Sequence, residues 1–278
     1  RKKFAITSLP SLLEFLGYVY CFPCILVGPA FEYNDYIRPI NGDAFLLPPP
    51  VTSSEGGQGR EKTVKRPSTF LPALQRLATG VFFMGLYLYF IPSYDIASHY
   101  KPDFIAATSP LHRFVLLQLS LLVQRFKFYF AWKVAEGGSI LGGFGFEGYD
   151  VEGREKGWKG AENVDIIGVE TCTNVQSMTR HWNKRTQGWL ERYTYMRTGR
   201  SLVAIYTVSA MWHGLYPGYF FAFLTVPLPT NIERLFKVKI NPLIVPGYNG
   251  YDQKTYPKTI IARVYEVVCW VGTWSAMA

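Results

Sequence analysis

The chain has 278 residues, 49% of them hydrophobic and 17% aromatic, and carries a net charge of +9. That length allows one or two soluble domains, but the apolar residues come in blocks of about the 20 residues that span hydrocarbon, which argues against a soluble protein. No recognisable nucleic-acid module accompanies the basic excess, so anionic lipid surfaces or a phosphorylated substrate fit it better than nucleic acid.

Taken in chain order, Arg1, Lys2 and Lys3 precede the first apolar block, residues 9–30. Glu14 lies inside it and is expected to pair with a basic residue or to bind a lipid head group, since an unpaired carboxylate in lipid is expensive. Cys21-Phe22-Pro23-Cys24 has redox spacing but sits in an apolar run and follows no strand. With Cys172 and Cys269 these cysteines form no disulfide framework, and buried thiols are the simpler reading. Residues 34–68 contain Pro48-Pro49-Pro50 and the tract SSEGGQGREK, which predicts a flexible exposed loop.

Residues 70–91 form the second block and 111–135 the third. The third is the weakest candidate span, because Gln118, Gln124, Arg125, Lys127 and Lys133 interrupt it. Residues 137–148 are glycine-rich but lack the Lys-Ser/Thr ending of a phosphate-binding loop, so they predict a bend or close helix packing. Residues 150–170 are polar and irregular. Val175, Met178, Trp182, Trp189, Tyr193 and Met196 then recur at helical spacing. They predict an amphipathic interfacial helix over residues 174–200, in two pieces around Gly188. Residues 201–226 and 260–278 complete the apolar blocks, separated by a proline-containing loop with an amphipathic piece at 232–239. The expected fold class is all-α, a multi-pass transmembrane helical protein forming one partial membrane domain over residues 1–278. The chain begins without Met and stops inside an apolar run, so it reads as an internal fragment lacking the first helices and the C-terminus.

The candidate chemistry centres on His213, in SLVAIYTVSAMWHGLYPGYFFAFLTV. An ionisable group in such a run is costly and is read first as functional; the alternative is a hydrogen bond to a neighbouring helix. Gly214, Pro217 and Gly218 are expected to loosen the chain beside it where a ligand could approach, and Tyr216, Tyr219, Phe220, Phe221 and Phe223 would give a cavity there an aromatic wall. No Cys/His/carboxylate cluster supports a metal. A lone histidine without a neighbouring serine or cysteine suggests a base acting on a substrate hydroxyl, with an ester as product of attack on an activated acyl donor. Charge developing on the acyl oxygen needs a donor, and Asn183, flanked by Trp182 and basic residues, is the best amide available. Capping or helix–helix hydrogen bonding is the structural alternative for Asn183. Arg180, Lys184 and Arg185 suit either phosphate groups or anionic lipid.

Trp212-His213-Gly214-x-x-Pro217-Gly218-Tyr219, with His181-Trp182-Asn183-x-x-Thr186 and Trp189-Leu190, resembles the membrane-bound O-acyltransferases. The match is to their lysophospholipid acyltransferase branch, particularly the fungal enzymes. Residues 10–18, Gly28-Pro29-Ala30-Phe31 and Gly143-Phe144-Gly145-Phe146-x-Gly148 extend it over most of the chain outside residues 51–66. The diacylglycerol and sterol branch carries a different asparagine motif, and protein-acylating members lack this Pro-Gly-Tyr ending. The resemblance implies a helical membrane protein with a central tunnel in which the residues matching His213 and Asn183 face each other. It further implies acyl-CoA as co-substrate with no cofactor, a lysophospholipid as acceptor, membrane lipids as surroundings and the endoplasmic reticulum membrane as location. Another lipid alcohol as acceptor, or a non-catalytic lipid-binding or transport protein, are the competing expectations.

Overall fold

Proline decides where the first apolar block stops being helical. In the computed structural model, which describes residues 4–48, 63–245 and 259–276, this block yields only helix α1, Leu12–Val19. Pro10 lies just before its Ser11 cap, and beyond Tyr20 the chain passes through turns around Pro23. Eight residues rise about 12 Å, far short of the roughly 30 Å of hydrocarbon, so the expected span over residues 9–30 does not form. Glu14 Oε2 accepts the Ser11 N–H (2.7 Å) and Oγ–H (2.8 Å) in a capping box, so its described partner is Ser11 where a basic residue was expected.

The expected loop over residues 34–68 is also corrected in its first part. Helix α2, Tyr33–Ile40, and a 3₁₀ turn at Asp43–Phe45 occupy it. Aromatic side chains give the physical reason. Tyr36 stacks on Phe144 at 5.6 Å and 9°, and Phe45 packs on Phe146 at 6.1 Å, which in turn meets Tyr149 and Trp158 at 5.1 Å each. Burying such rings stabilises a segment that composition alone marks as polar. The Pro49–Pro50 pair and the tract SSEGGQGREK lie outside the described residues.

Among the described residues two helices are long and apolar enough to cross a membrane: α3, Phe70–Phe90, and, after the short α4, Pro102–Ala107, the 32-residue α5, Pro110–Leu141. The third block, weakest by composition, therefore forms the longest helix. One of its interruptions, Lys133, is absorbed by a buried polar network. Glu136 is completely buried, and its Oε1 accepts the backbone N–H groups of Asn163 (2.8 Å) and Val164 (3.1 Å). Its Oε2 meets Lys133 Nζ at 2.8 Å and Arg76 Nε at 3.5 Å. Lys133 also donates to the Val164 carbonyl (2.7 Å), and Arg76 reaches Glu162 at 3.5 Å. Two cations thus face two carboxylates, and the irregular segment before residue 165 is pinned to α3 and α5. Gly137, inside α5, lets the two helices approach: a Cβ there would lie 2.9 Å from Leu77 Cγ and 3.1 Å from the Ala73 carbonyl oxygen.

The remaining helices are α6 (Ile166–Thr171), α7 (Val175–His181), α8 (Lys184–Leu190), α9 (Leu202–His213), α10 (Pro217–Thr225), α11 (Pro227–Lys239), α12 (Asn241–Ile244) and α13 (Ile260–Ala276). Among the described residues the fold is all-α, with two isolated β-bridges and no strand. Two compact units emerge in place of one undivided domain. The first comprises Arg1–Ser93 and Leu122–Val164, and the second Tyr94–Leu121 and Asp165–Ala278. The first is built on α1–α3, the later part of α5 and the aromatic cluster. The second holds α4, the start of α5 and α6–α13. Within it, α13 is tied to α6 by Trp270 and Trp274, whose indole N–H groups donate to the Glu170 carbonyl (2.7 Å) and carboxylate (2.9 Å).

Candidate active site

The expected amphipathic helix over residues 174–200 breaks, and it does so at Trp182–Asn183, not around Gly188. Asn174 caps α7 by accepting the Ser177 N–H (2.7 Å), and the helix ends at His181. Trp182 is extended (φ −95°, ψ 127°), and Asn183 then takes φ 47°, ψ 47°. This is the left-handed region, which after glycine admits asparagine most readily. Gly188 remains inside α8, and the chain continues into a π-helical turn at Glu191–Tyr195.

Asn183 occupies the cap position of α8, yet its side chain makes no capping hydrogen bond, and its Oδ1 is buried without a hydrogen-bond partner. The capping alternative therefore does not account for it. A left-handed non-glycine residue costs about 1–2 kcal/mol, and a buried unsatisfied amide oxygen costs about 1–3 kcal/mol more. Both features together set Asn183 apart from an ordinary helix cap.

The apolar run 201–226 likewise divides into two helices and forms no single span. Ser201 Oγ accepts the Ala204 N–H (3.1 Å) to start α9, and His213 is that helix's last residue. Gly214 follows at φ 134°, ψ 168°, a conformation rare for residues with a side chain, and Pro217 opens α10, which packs back against α9. His213 is thus exposed at a helix end and is not buried in mid-span. Its ring stacks on Phe223 at 4.7 Å and 24°, with Trp212 at 4.9 Å and Tyr219 at 5.7 Å. Tyr219 also meets Tyr216 at 6.2 Å. Among the described residues no hydrogen bond engages either ring nitrogen of His213. The three aromatic rings orient the imidazole.

Both junctions belong to the second unit. Helix α11 packs against α7, α9 and α10, while the π-helical turn packs against α8 and α9. Glu233 on α11 accepts the Gln176 N–H (3.2 Å) and pairs with Lys237 at 2.5 Å. Among the described residues no hydrogen bond joins Asn183 to His213, so any joint action passes through a substrate. Arg180, three residues before Asn183, is exposed, and Trp182, Lys184 and Arg185 are half-buried. Trp212 and Tyr216 are exposed. Glu14 belongs to the first unit.

Sequence reasoning passed over Asp165, placed in an irregular polar stretch. Its Oδ1 accepts the Gly168 N–H (3.0 Å) and caps α6, and its Oδ2 lies 2.9 Å from His181 Nδ1. Burial pushes the carboxyl up, but the Gly168 N–H, the His181 imidazole and the Lys184 ammonium outweigh it and hold it below the ordinary carboxylate range. The available signal was the Asp-Ile-Ile-Gly spacing of a capped first turn.

A family model described as MBOAT, membrane-bound O-acyltransferase family, matches residues 1–241. The chain belongs to this family. It is an integral membrane protein on that ground and on its two spanning-length helices. Over 282 residues it is 31% identical to a lysophospholipid acyltransferase of Schizosaccharomyces pombe, covering 98% of this chain and 52% of that protein. It is 30% identical to membrane-bound glycerophospholipid O-acyltransferase 2 of Homo sapiens, covering 100% and 51%. Identity to a lysophospholipid acyltransferase of Saccharomyces cerevisiae is 30%, covering 88% and 41%. Fungal and animal family members are thus similar to it in equal measure, and the chain spans about half the length of the first two.

Proposed function

We propose that this chain carries the catalytic region of a lysophospholipid acyltransferase of internal membranes, in the endoplasmic reticulum. The enzyme transfers a fatty acyl group from acyl-CoA to the free hydroxyl of a lysophospholipid and needs no further cofactor. His213 takes the proton from the hydroxyl as its oxygen attacks the thioester carbonyl carbon. The new C–O bond forms, the C–S bond breaks, and the imidazolium returns the proton to the departing CoA thiolate. Asn183 meets the reacting carbonyl; half a turn of its amide exchanges the donor and acceptor ends, so the NH₂ can face the developing oxyanion. Arg180, Lys184 and Arg185 supply positive charge for CoA phosphates beside it. The observation that carries the reading is Asn183, left-handed and with a buried oxygen that no hydrogen bond satisfies among the described residues. The printed names of the relatives supply the acceptor class.

The test uses membranes bearing the full-length protein, labelled acyl-CoA and a panel of lysophospholipids. Ester formation is expected with the wild type, and its loss with His213→Ala and Asn183→Ala while both variants remain membrane-inserted. Normal turnover in either variant removes that residue from the mechanism. Movement of lipid without ester formation would favour a transport or lipid-binding role, and ester formation on a different alcohol in the panel would reassign the acceptor.

A further inference from the structure

Asn183 holds a costly conformation, so something must fix the chain that enters it. Helix α7 is the immediate lead-in, and both of its ends are gripped by carboxylates from other elements. At its start, Glu233 of α11 accepts the Gln176 N–H at 3.2 Å. At its end, a single residue holds His181 twice. The Asp165 backbone N–H donates to the His181 carbonyl at 3.0 Å, and the Asp165 carboxylate lies 2.9 Å from His181 Nδ1. The same carboxylate accepts the Gly168 N–H at 3.0 Å, fixing α6 to its own cap. Residue 168 has to be glycine for this arrangement: a Cβ there would fall 2.2 Å from His181 Nδ1 and within 2.6 Å of two further ring atoms. The imidazole therefore lies flat on the first turn of α6. Lys184, the residue immediately after Asn183, adds its charge to the same carboxylate. Asp165 thus acts on residues immediately flanking the Trp182–Asn183 turn.

We infer that Asp165, acting through His181, is a positioning residue that holds the Asn183 amide in its working geometry. The inference rests on the assignment of Asn183 to acyl transfer. Stability alone is a poor explanation of the pair. Asp165 and His181 side chains are 38% and 34% exposed, with Nδ1 itself buried and outside hydrogen-bond geometry, and ion pairs between partly exposed side chains contribute little to folding. What the pair fixes is direction: it sets where α7 ends and how Trp182 and Asn183 leave it. Small displacements of a catalytic group lower the rate of the chemical step much more than they weaken substrate binding.

The experiment measures initial rates on membranes containing the full-length protein, with labelled acyl-CoA and a lysophospholipid varied in turn. Asp165→Ala is expected to lower kcat on the order of 10- to 100-fold, with KM for both substrates and the thermal midpoint in detergent close to wild type. Asp165→Asn keeps an oxygen for the Gly168 N–H and the backbone link to His181, and is expected to recover most of kcat. His181→Gln tests the other partner and is expected to lower kcat in the same manner. If Asp165→Ala does not accumulate, Asp165→Asn and His181→Gln decide the matter by the same split of kcat against KM. Wild-type kcat in Asp165→Ala, or a loss confined to KM or to thermal stability, overturns the positioning role. Asn183→Ala runs in parallel: if it is inactive the acyl-transfer assignment stands whatever Asp165 does, and if it turns over normally that assignment falls first.

Discussion

At the scale of single residues, Asn183 and His213 reach their places by different physics. His213 stands out in the sequence because an ionisable ring in an apolar run is expensive, yet it ends α9 with its ring exposed and held by Phe223, Tyr219 and Trp212. The motif around it was legible; the burial argument was not, because Gly214 and Pro217 end the helix there. Asn183 shows the reverse. Its role as an amide donor was proposed from type and neighbours, while its left-handed backbone and unsatisfied oxygen had no signal in helical periodicity. The two features can be separated. Glycine adopts φ > 0 freely, so Asn183→Gly is expected to fold with a thermal midpoint at or slightly above wild type. It is also expected to lose on the order of 10²- to 10³-fold in acyl transfer, as removal of an oxyanion donor does. A melt and a rate on the same preparation check this. A variant that is fully active would show that the backbone turn matters and the amide does not.

Elements were legible where apolar length and proline agree and illegible where polar groups satisfy one another. Residues 70–91 were read correctly as a long apolar helix, now α3. Residues 111–135 looked weak because charges interrupt them, and periodicity cannot reveal that Lys133 meets Glu136 and the Val164 carbonyl. Nor could composition show that Tyr36 and Phe45 would draw residues 33–45 into an aromatic core. The Glu136 network yields a prediction about stability and not chemistry. Glu136→Ala removes a carboxylate from Lys133 and Arg76, leaving them the Val164 carbonyl and Glu162, and leaves two backbone N–H groups without their acceptor; breaking a buried pair costs about 3–5 kcal/mol. The variant is expected to accumulate poorly, with a clearly lowered thermal midpoint, whereas Glu136→Gln keeps an acceptor and falls between. Size-exclusion profiles and melts in detergent measure the order; equal behaviour of the two variants would count against the network. Within the same helix pair, Gly137→Val forces side-chain atoms against Leu77 and the Ala73 carbonyl. Such overpacking typically costs about 1–3 kcal/mol, which the same melts would detect.

For the whole molecule, the surface of α3 decides what surrounds it. Val81 and Phe82, at the middle of the helix, are 63% and 61% exposed, and Leu71 near its start is also exposed. A 21-residue apolar helix that presents such residues along its length suits a lipid environment, in keeping with membership of a membrane-bound family. Depth then sets the effect of a charge. A lysine at the centre of a spanning helix costs about 2.5–3.5 kcal/mol on insertion scales, whereas one near the end extends its ammonium to the interface at little cost. In the full-length protein, Val81→Lys is therefore expected to reduce the fraction that resists alkaline carbonate extraction, and Leu71→Lys to leave it near wild type. Both substitutions add the same charge to exposed positions of the same helix, so a difference between them reports depth in hydrocarbon and not charge itself. Equal extraction of the two would place α3 outside the membrane core and leave α5 as the described helix of spanning length still to be tested.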